Sequence, residues 1–306
     1  MIKEDFNSSV YVSVAGLAAL RKRAMMLSLP RSKKQALSGS GATKSPFKTK
    51  GMDFSEVRQY QAGDDVRQID WRVTAKYGKP FTKLYTDERQ RQVVFVCDLR
   101  SAMKFASQGD FKSVLAAKIT AFLAWVTLQK SDTMRTLFLF PEALKVSPMG
   151  RGIEIVKSMI MELSASLNPL SVPVDLITFE QSVKRLDAIT PKGALVFICS
   201  DFHDLTPTAV DFLAPIVKRA DISFIHIFDI MEEKMPAAVL PVSDGQTAFV
   251  ADMRDKKNRK VFADSFTKVQ SLVADTVRRY GLGYLPVRTD EDYLDMVARY
   301  CEGVAI

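Results

Sequence analysis

Ala194 to Asp201 reads ALVFICSD, an unbroken apolar run closed by Ser and Asp. A strand without polar alternation must be covered on both faces, as in a parallel sheet held between two layers of helices. The pattern recurs along the chain. VVFVCD (93–98) is read as the first strand, RTLFLF (135–140) as the second, ISFIHIFD (222–229) and YLPVRT (284–289) as later ones, and ALKVS (143–147) as an edge strand. Between them lie segments with apolar residues at helical spacing, over 110–130, 153–167, 178–189, 207–219, 264–280 and 290–301. Thr178 stands where the third of these needs an N-cap, with Glu180 and Gln181 in its first turn. The rhythm breaks between Met231 and Phe262, where Ser243-Asp244-Gly245 and Asp255 to Asn258 predict hairpins. The expected fold class is α/β, a doubly wound, mostly parallel sheet with a β-hairpin insertion at about 231–262.

At 306 residues and 47% hydrophobic, the chain can bury one large core or two ordinary ones, and disordered and collagen-like classes are excluded. Cys97, Cys199 and Cys301 are an odd number, and two of them sit inside apolar strands, so a reduced, cytoplasmic compartment is expected. The uncharged stretch Phe6 to Leu20 holds Ser, Asn and Gly and falls short of the ~20 mostly apolar residues a spanning helix needs. Lys3, Glu4 and Asp5 make a poor signal-peptide start, and the RKR triplet follows the apolar run. Neither a membrane span nor a secretion signal is expected.

The net charge of +8 is localised. From Phe6 through Met52 there is no acid, while Arg21, Lys22, Arg23, Arg31, Lys33, Lys34, Lys44, Lys48 and Lys50 supply positive charge. Without that stretch the body is close to neutral. Residues 1–50 are read as a basic N-terminal helix and a Ser/Gly/Lys-rich linker. Such an arm suits an anionic membrane surface, an acidic protein face or nucleic acid, and equally a tether that docks on its own chain. No aromatic residue interleaves the cations between Arg31 and Lys44, which disfavours base stacking.

In doubly wound sheets, ligands bind beyond the carboxyl ends of the strands, near the point where strand order reverses. Asp98 and Asp201 end two of the predicted strands there. Paired carboxylates at that edge suit a hard cation such as magnesium.

Residues 51–92 carry a dense, ordered motif: Phe54, Glu56, Arg58 and Tyr60, then Gly63, Asp64, Asp65, Arg67, Ile69, Asp70 and Trp71, then Glu88 and Arg89. It resembles the signature of the bacterial family called domain of unknown function 58, in which a β-rich segment precedes a domain similar to von Willebrand factor A. The resemblance covers nearly everything after Lys50. It implies a von Willebrand factor A-like domain over 93–306, a metal loop of the form D-x-S-x-S, and partnership with MoxR-type AAA+ ATPases and other von Willebrand factor A proteins.

The metal loop departs from that pattern. Asp98-Leu99-Arg100-Ser101-Ala102-Met103 replaces both ligand serines, with Arg100 and Ala102. An arginine beside carboxylates repels a metal and neutralises the acids itself, so the site is expected to be degenerate and empty, with Arg100 paired to Asp98 or Asp201 as a built-in substitute cation. The alternative is a weak magnesium site on Asp98, Ser101, Thr178 and Asp201. In the signature segment, Arg58, Asp64, Asp65, Arg67 and Asp70 are read as a scaffold of paired charges, and alternatively, with Glu56, as a docking surface. Tyr60 and Trp71 are expected to be packing anchors.

Catalytic motifs are otherwise missing. His203 follows Asp201 closely but has no partnered nucleophile, and His226 lies inside an apolar strand. Cys97 and Cys199 are expected to be buried and inert. GSGATKS lacks the P-loop spacing and follows no strand. These readings point to a non-enzymatic adaptor partnering an AAA+ ATPase, without a cofactor, in the cytoplasm or peripherally at the inner membrane. The alternatives are a magnesium-dependent hydrolase at the sheet edge and a membrane or nucleic-acid binder acting through the arm.

Overall fold

The computed structural model describes residues 9–29, 52–61, 64–87, 91–167, 174–243 and 248–303. The chain forms two compact units, one of residues 33–91 and one of residues 1–32 with 92–306.

In the smaller unit, strands β1 (Met52–Gln59) and β2 (Phe81–Asp87) pair antiparallel, with an irregularity between Phe54 and Glu56. Their connection is not strand. Asp65 caps a short 3-10 turn at Val66–Gln68, and Asp70 caps a helix at Trp71–Tyr77 by accepting from the N–H groups of Arg72 and Val73. Gly78 ends that helix at φ 67°, a left-handed conformation that glycine adopts without steric cost. The β-rich expectation for 51–92 missed this helix, because seven residues are too few to display a helical period.

The larger unit is built on a six-stranded sheet. In chain order its strands are β3 (Gln92–Asp98), β4 (Thr133–Leu139), β5 (Leu144–Val146), β6 (Leu195–Ser200), β7 (Asp221–Phe228) and, after a separate hairpin, β10 (Gly283–Arg288). Their spatial order is β10-β7-β6-β3-β4-β5, parallel except for the edge strand β5. The hairpin pairs β8 (Val239–Ser243) with β9 (Ala248–Asp252). It occupies only the middle of the expected insertion. The following helix runs over Lys256–Tyr280 with Asp255 as its cap, so Asp255 to Asn258 mark a helix start and not a second hairpin.

The sheet separates two cores. On one face Val93, Phe95 and Cys97 pack under the helices Lys112–Gln129, Ile153–Ser166 and Tyr293–Glu302. On the other, Val94, Val96, Val196 and Ile198 pack under Phe179–Ile189, Pro207–Val217 and Val273 of the long helix. Lys112–Gln129 is buried from Lys112 to Thr127, because the N-terminal residues cover its outer side.

Those N-terminal residues form two short helices, Val14–Ala19 and Arg21–Ala24, in place of the one expected. Val12, Leu17, Ala24 and Leu29 join the first core. The Trp125 indole N–H donates to the Leu17 carbonyl at 3.0 Å, and the Gln129 amide donates to the Ala24 carbonyl. Residues 9–29 are therefore docked on their own chain. Arg31, Lys33 and Lys34 lie outside the described residues.

Candidate functional site

The strand order reverses between β3, which continues to β4, and β6, which continues to β7. Cys97 and Cys199 are directly paired across these strands, so Asp98 and Asp201 leave the sheet side by side at the expected crevice. What meets them there is cationic protein.

Arg100 is 1% exposed and Asp98 fully buried. The Arg100 backbone N–H and Nε both donate to Asp98 Oδ1, at 3.1 and 3.0 Å, and a terminal nitrogen donates to Oδ2 at 2.7 Å. The Ser200 hydroxyl donates to the same Oδ2 at 2.7 Å. The guanidinium then reaches Asp204 at 2.7 and 2.9 Å and the Ile177 carbonyl at 3.1 Å. Burial opposes the guanidinium charge, but Asp98 and Asp204 outweigh it and hold Arg100 protonated. Burial likewise works against the Asp204 carboxylate, and Arg100 overrides it, lowering the pKa.

Asp201 has a cation of its own. Lys112 Nζ sits 2.7 Å from Asp201 Oδ2 and 2.7 Å from Glu232 Oε1. Burial disfavours both charges, yet each carries the other: the Lys112 pKa is raised and that of Asp201 falls well below the carboxylate range. His203 Nδ1 lies 2.8 Å from Asp201 Oδ1 and 3.8 Å from Asp204. Partial burial opposes its protonation, but these two carboxylates push the pKa up to about 8. The turn carrying these groups is held by Phe202, which adopts φ 54° and is stacked on Phe224 at 4.5 Å and edge-on to Phe179 at 5.4 Å. A bulky residue in the left-handed region persists only where its packing over-determines it.

Of the two partners expected for Arg100, the structure selects Asp98 and adds a third carboxylate. The Arg100 partners are Asp98 and Asp204, while Asp201 is taken by Lys112. Ser101 opens a 3-10 turn and its backbone N–H donates to Asp175 at 2.8 Å. The Thr178 hydroxyl accepts from the Gln181 N–H in a capping box, so its oxygen serves the helix. These residues do not fit a divalent cation. Both oxygens of Asp98 already accept from a guanidinium, and Asp201 from an ammonium and an imidazole, so a metal would meet two fixed positive charges in a site of low dielectric.

The remaining candidates take ordinary places. His226 is buried, bonded to the Tyr284 hydroxyl at 3.1 Å, and burial pushes its pKa down to about 4. Burial raises the Cys97 thiol and holds Cys199 at about 12, so neither is a nucleophile. Among the described residues no three His, Cys, Asp or Glu side chains are grouped to hold a metal.

In the smaller unit, Arg58 pairs with Asp64 at 2.7 Å, and the half-buried Tyr60 donates to the Asp64 carbonyl at 3.2 Å. Asp65 and Asp70 are helix caps, and Lys83 lies 3.7 Å from Asp70. The acids are therefore spent locally. Glu56 lies on β1. Trp71 is not a packing anchor: it is 68% exposed. Arg21, Lys22 and Arg23 of the docked arm are exposed too, with Arg21 above the Trp125 ring.

Sequence reasoning missed Asp204, Lys112 and Glu232. Asp204 was signalled by its place in the Asp201-Phe-His-Asp loop, but Lys112, the first residue of a helix, looked like a solvated terminus. Fold and site define an α/β protein with a mostly parallel six-stranded sheet whose carboxyl edge is closed by buried internal ion pairs. The chain belongs to the family described as Protein of unknown function DUF58, whose model matches residues 56–271. "Uncharacterized protein Rv1480" of Mycobacterium tuberculosis and "Uncharacterized protein Mb1516" of Mycobacterium bovis are each 25% identical over 256 residues, which span 82% of this chain and 78% of theirs. The crystal structure of conserved hypothetical protein BatB from Bacteroides thetaiotaomicron is similar with a TM-score of 0.42 and 14% identity, over 70% of this chain and 98% of that one.

Proposed function

We propose that this chain is a non-enzymatic adaptor of von Willebrand factor A type, acting in the cytoplasm as the metal-independent partner of a MoxR-type AAA+ ATPase. The observation that carries the non-enzymatic reading is the closure of the sheet edge by Arg100 and Lys112. Ligand chemistry at such an edge needs open carboxylates, a nucleophile or a poised base, and here the acids accept from fixed cations while the nearby thiols are buried. A surface that needs no ion to set its shape suits a constitutive contact. The ATPase partnership rests on the family resemblance.

The test is affinity purification of the tagged, natively expressed protein, followed by turnover assays with the MoxR-type ATPase of the same cell. Co-purification and a changed ATPase rate support the reading, and a rate indifferent to saturating protein overturns it. Magnesium titration by calorimetry is expected to give no saturable heat, and tight binding would overturn the metal-independent part.

A second reading has one observation in its favour. Met26 is 95% exposed and Met25 60%, and they follow Arg21, Lys22 and Arg23 after the buried Ala24. Exposed apolar side chains beside cations match peripheral attachment to an anionic membrane. Co-sedimentation with phosphatidylglycerol vesicles that is lost in an R21E/K22E/R23E variant would support it. Among the described residues no helix is long and apolar enough to cross a membrane.

A further inference from the structure

The helix Trp71–Tyr77 turns its two sides to different surroundings. Val73 and Thr74 are half-buried, the Thr74 hydroxyl accepts from the Phe81 N–H at 3.0 Å, and the Tyr77 ring lies 5.6 Å from that of Phe81. This side is held by the hairpin. Trp71, Arg72, Ala75 and Lys76 occupy the other side at helical spacings, and all are exposed, as is Lys79 just past the Gly78 cap. In the turn before it, Val66 and Arg67 are exposed as well.

The charges on this face are unbalanced for a local reason. The neighbouring acids are Asp64, paired with Arg58, and Asp65 and Asp70, whose oxygens cap the 3-10 turn and the helix. Arg67, Arg72 and Lys79 have no acidic partner among the described residues, and Lys76 only overhangs the Tyr77 ring. An exposed tryptophan among arginines is the composition that dominates binding energy at protein interfaces.

We propose that the exposed helix side of Trp71, Arg72 and Lys76, with the flanking exposed cations Arg67 and Lys79, docks an acidic protein segment that carries an apolar anchor. The cations call for carboxylates, and the exposed indole calls for an aliphatic or aromatic group among them. A nucleic-acid strand fits less well. Stacking along a strand needs successive free aromatic faces; the Tyr77 ring, although 61% exposed, is in contact with Phe81 and overhung by Lys76, which leaves the Trp71 indole as the free ring of this helix. This inference stands on residues 33–91 alone and does not depend on the ATPase partnership.

The full chain tests it. The probes are fluorescein-labelled 12-residue peptides, one of Glu with two central Leu, one of Glu only and one with Lys in place of Glu, beside a 12-nucleotide oligo-dT. Saturable binding of the Glu/Leu peptide is expected, weakening with salt and about tenfold tighter than that of the Glu-only peptide. Trp71→Ala and Arg72→Glu/Lys76→Glu should each weaken it about tenfold or more. The R21E/K22E/R23E variant should bind as wild type. Both sets of substitutions sit on exposed positions, and unchanged circular dichroism certifies the fold. Tryptophan emission difference between wild type and Trp71→Phe should be that of a hydrated indole and should shift blue with the peptide. No saturable binding, equal binding by Trp71→Ala, loss confined to the arm variant, or tighter binding of oligo-dT would each overturn the proposal.

Discussion

The pattern Asp-x-Arg occurs at Asp98-Leu99-Arg100 and again at Asp252-Met253-Arg254, and the two make almost the same local structure. In the second, the Arg254 N–H and Nε donate to Asp252 Oδ1 at 3.0 and 2.9 Å and a terminal nitrogen donates to Oδ2 at 2.8 Å, matching Arg100 on Asp98 bond for bond. What differs is the surroundings. Arg254 and Asp252 are exposed, whereas Arg100 and Asp98 are buried and the guanidinium goes on to Asp204. The same Asp-x-Arg turn is thus a surface ornament in one place and the closure of the sheet edge in the other. Of the three other copies, Asp87-Glu88-Arg89 lies partly outside the described residues, and in Asp65-Val66-Arg67 and Asp70-Trp71-Arg72 the aspartate keeps only its bond to the backbone and caps a helical turn, leaving the arginine to solvent. The middle residue marks the split: Leu99 and Met253 are buried, and Val66 and Trp71 are exposed.

Breaking the buried copy should have the largest effect. Arg100→Met removes the cation from two carboxylates, one fully buried, and should lower unfolding stability by about 3 to 5 kcal/mol in urea titrations. Lys112→Met comes next. It strands Asp201, but Glu232 is partly exposed and rehydrates, so a loss of about 2 to 4 kcal/mol is expected by the same measurement. A variant at either position that unfolds like wild type would mean that the carboxylates accept a proton or water at little cost, and the closed-edge picture would fail.

These two sites also show how far the sequence could be read. The apolar runs 93–98 and 194–201 predict central strands, because only burial on both faces tolerates such runs, and the six-stranded sheet holds both at its centre. The Thr178 capping box was legible for the same kind of reason, a side chain and a backbone group three residues apart. The Asp98 and Asp201 crevice followed from where the two predicted strands end and from the rule that doubly wound sheets bind beyond their carboxyl edge. What escaped was which charge meets which. Lys112 lies 89 residues from Asp201, and Asp204 lies 104 from Arg100. No local pattern encodes such separations. Nor does the middle residue of Asp-x-Arg reveal its fate, since in the four described copies Leu, Met, Val and Trp are all apolar and two of them face water.

A smaller effect is expected from pH. His203 has its pKa raised to about 8 by Asp201 and Asp204, despite the opposing influence of burial and of Arg100. Its ordinary value is about 6.5. The folded state therefore holds the proton more tightly than the unfolded one, and the stabilisation is fully present below about pH 6.5 and lost as pH rises through about 8. The ring is 42% exposed, which moderates the effect through solvent screening. Unfolding midpoints measured from pH 6 to 9 should fall over that window, and His203→Gln should flatten the fall. A wild-type profile identical to that of the variant would show that the imidazole is not charged against Asp201.

The smallest effect sharpens the opening comparison most. Arg254→Met removes the same side-chain bonds to the aspartate as Arg100→Met, without the further bonds that Arg100 makes to Asp204 and Ile177, in a setting where water replaces them. The Arg254 side chain holds the Asp252 carboxyl down at about 2, so the variant should return that carboxyl toward the ordinary range, visible by NMR titration. The unfolding midpoint at neutral pH should not move measurably, because both groups recover hydration when the pair opens. A shift in the carboxyl with no shift in stability would establish that bond geometry alone does not make an Asp-x-Arg pair structural. If the midpoint of Arg254→Met fell as far as that of Arg100→Met, the energy would reside in the turn itself, and burial at the sheet edge would no longer explain why Arg100 closes it.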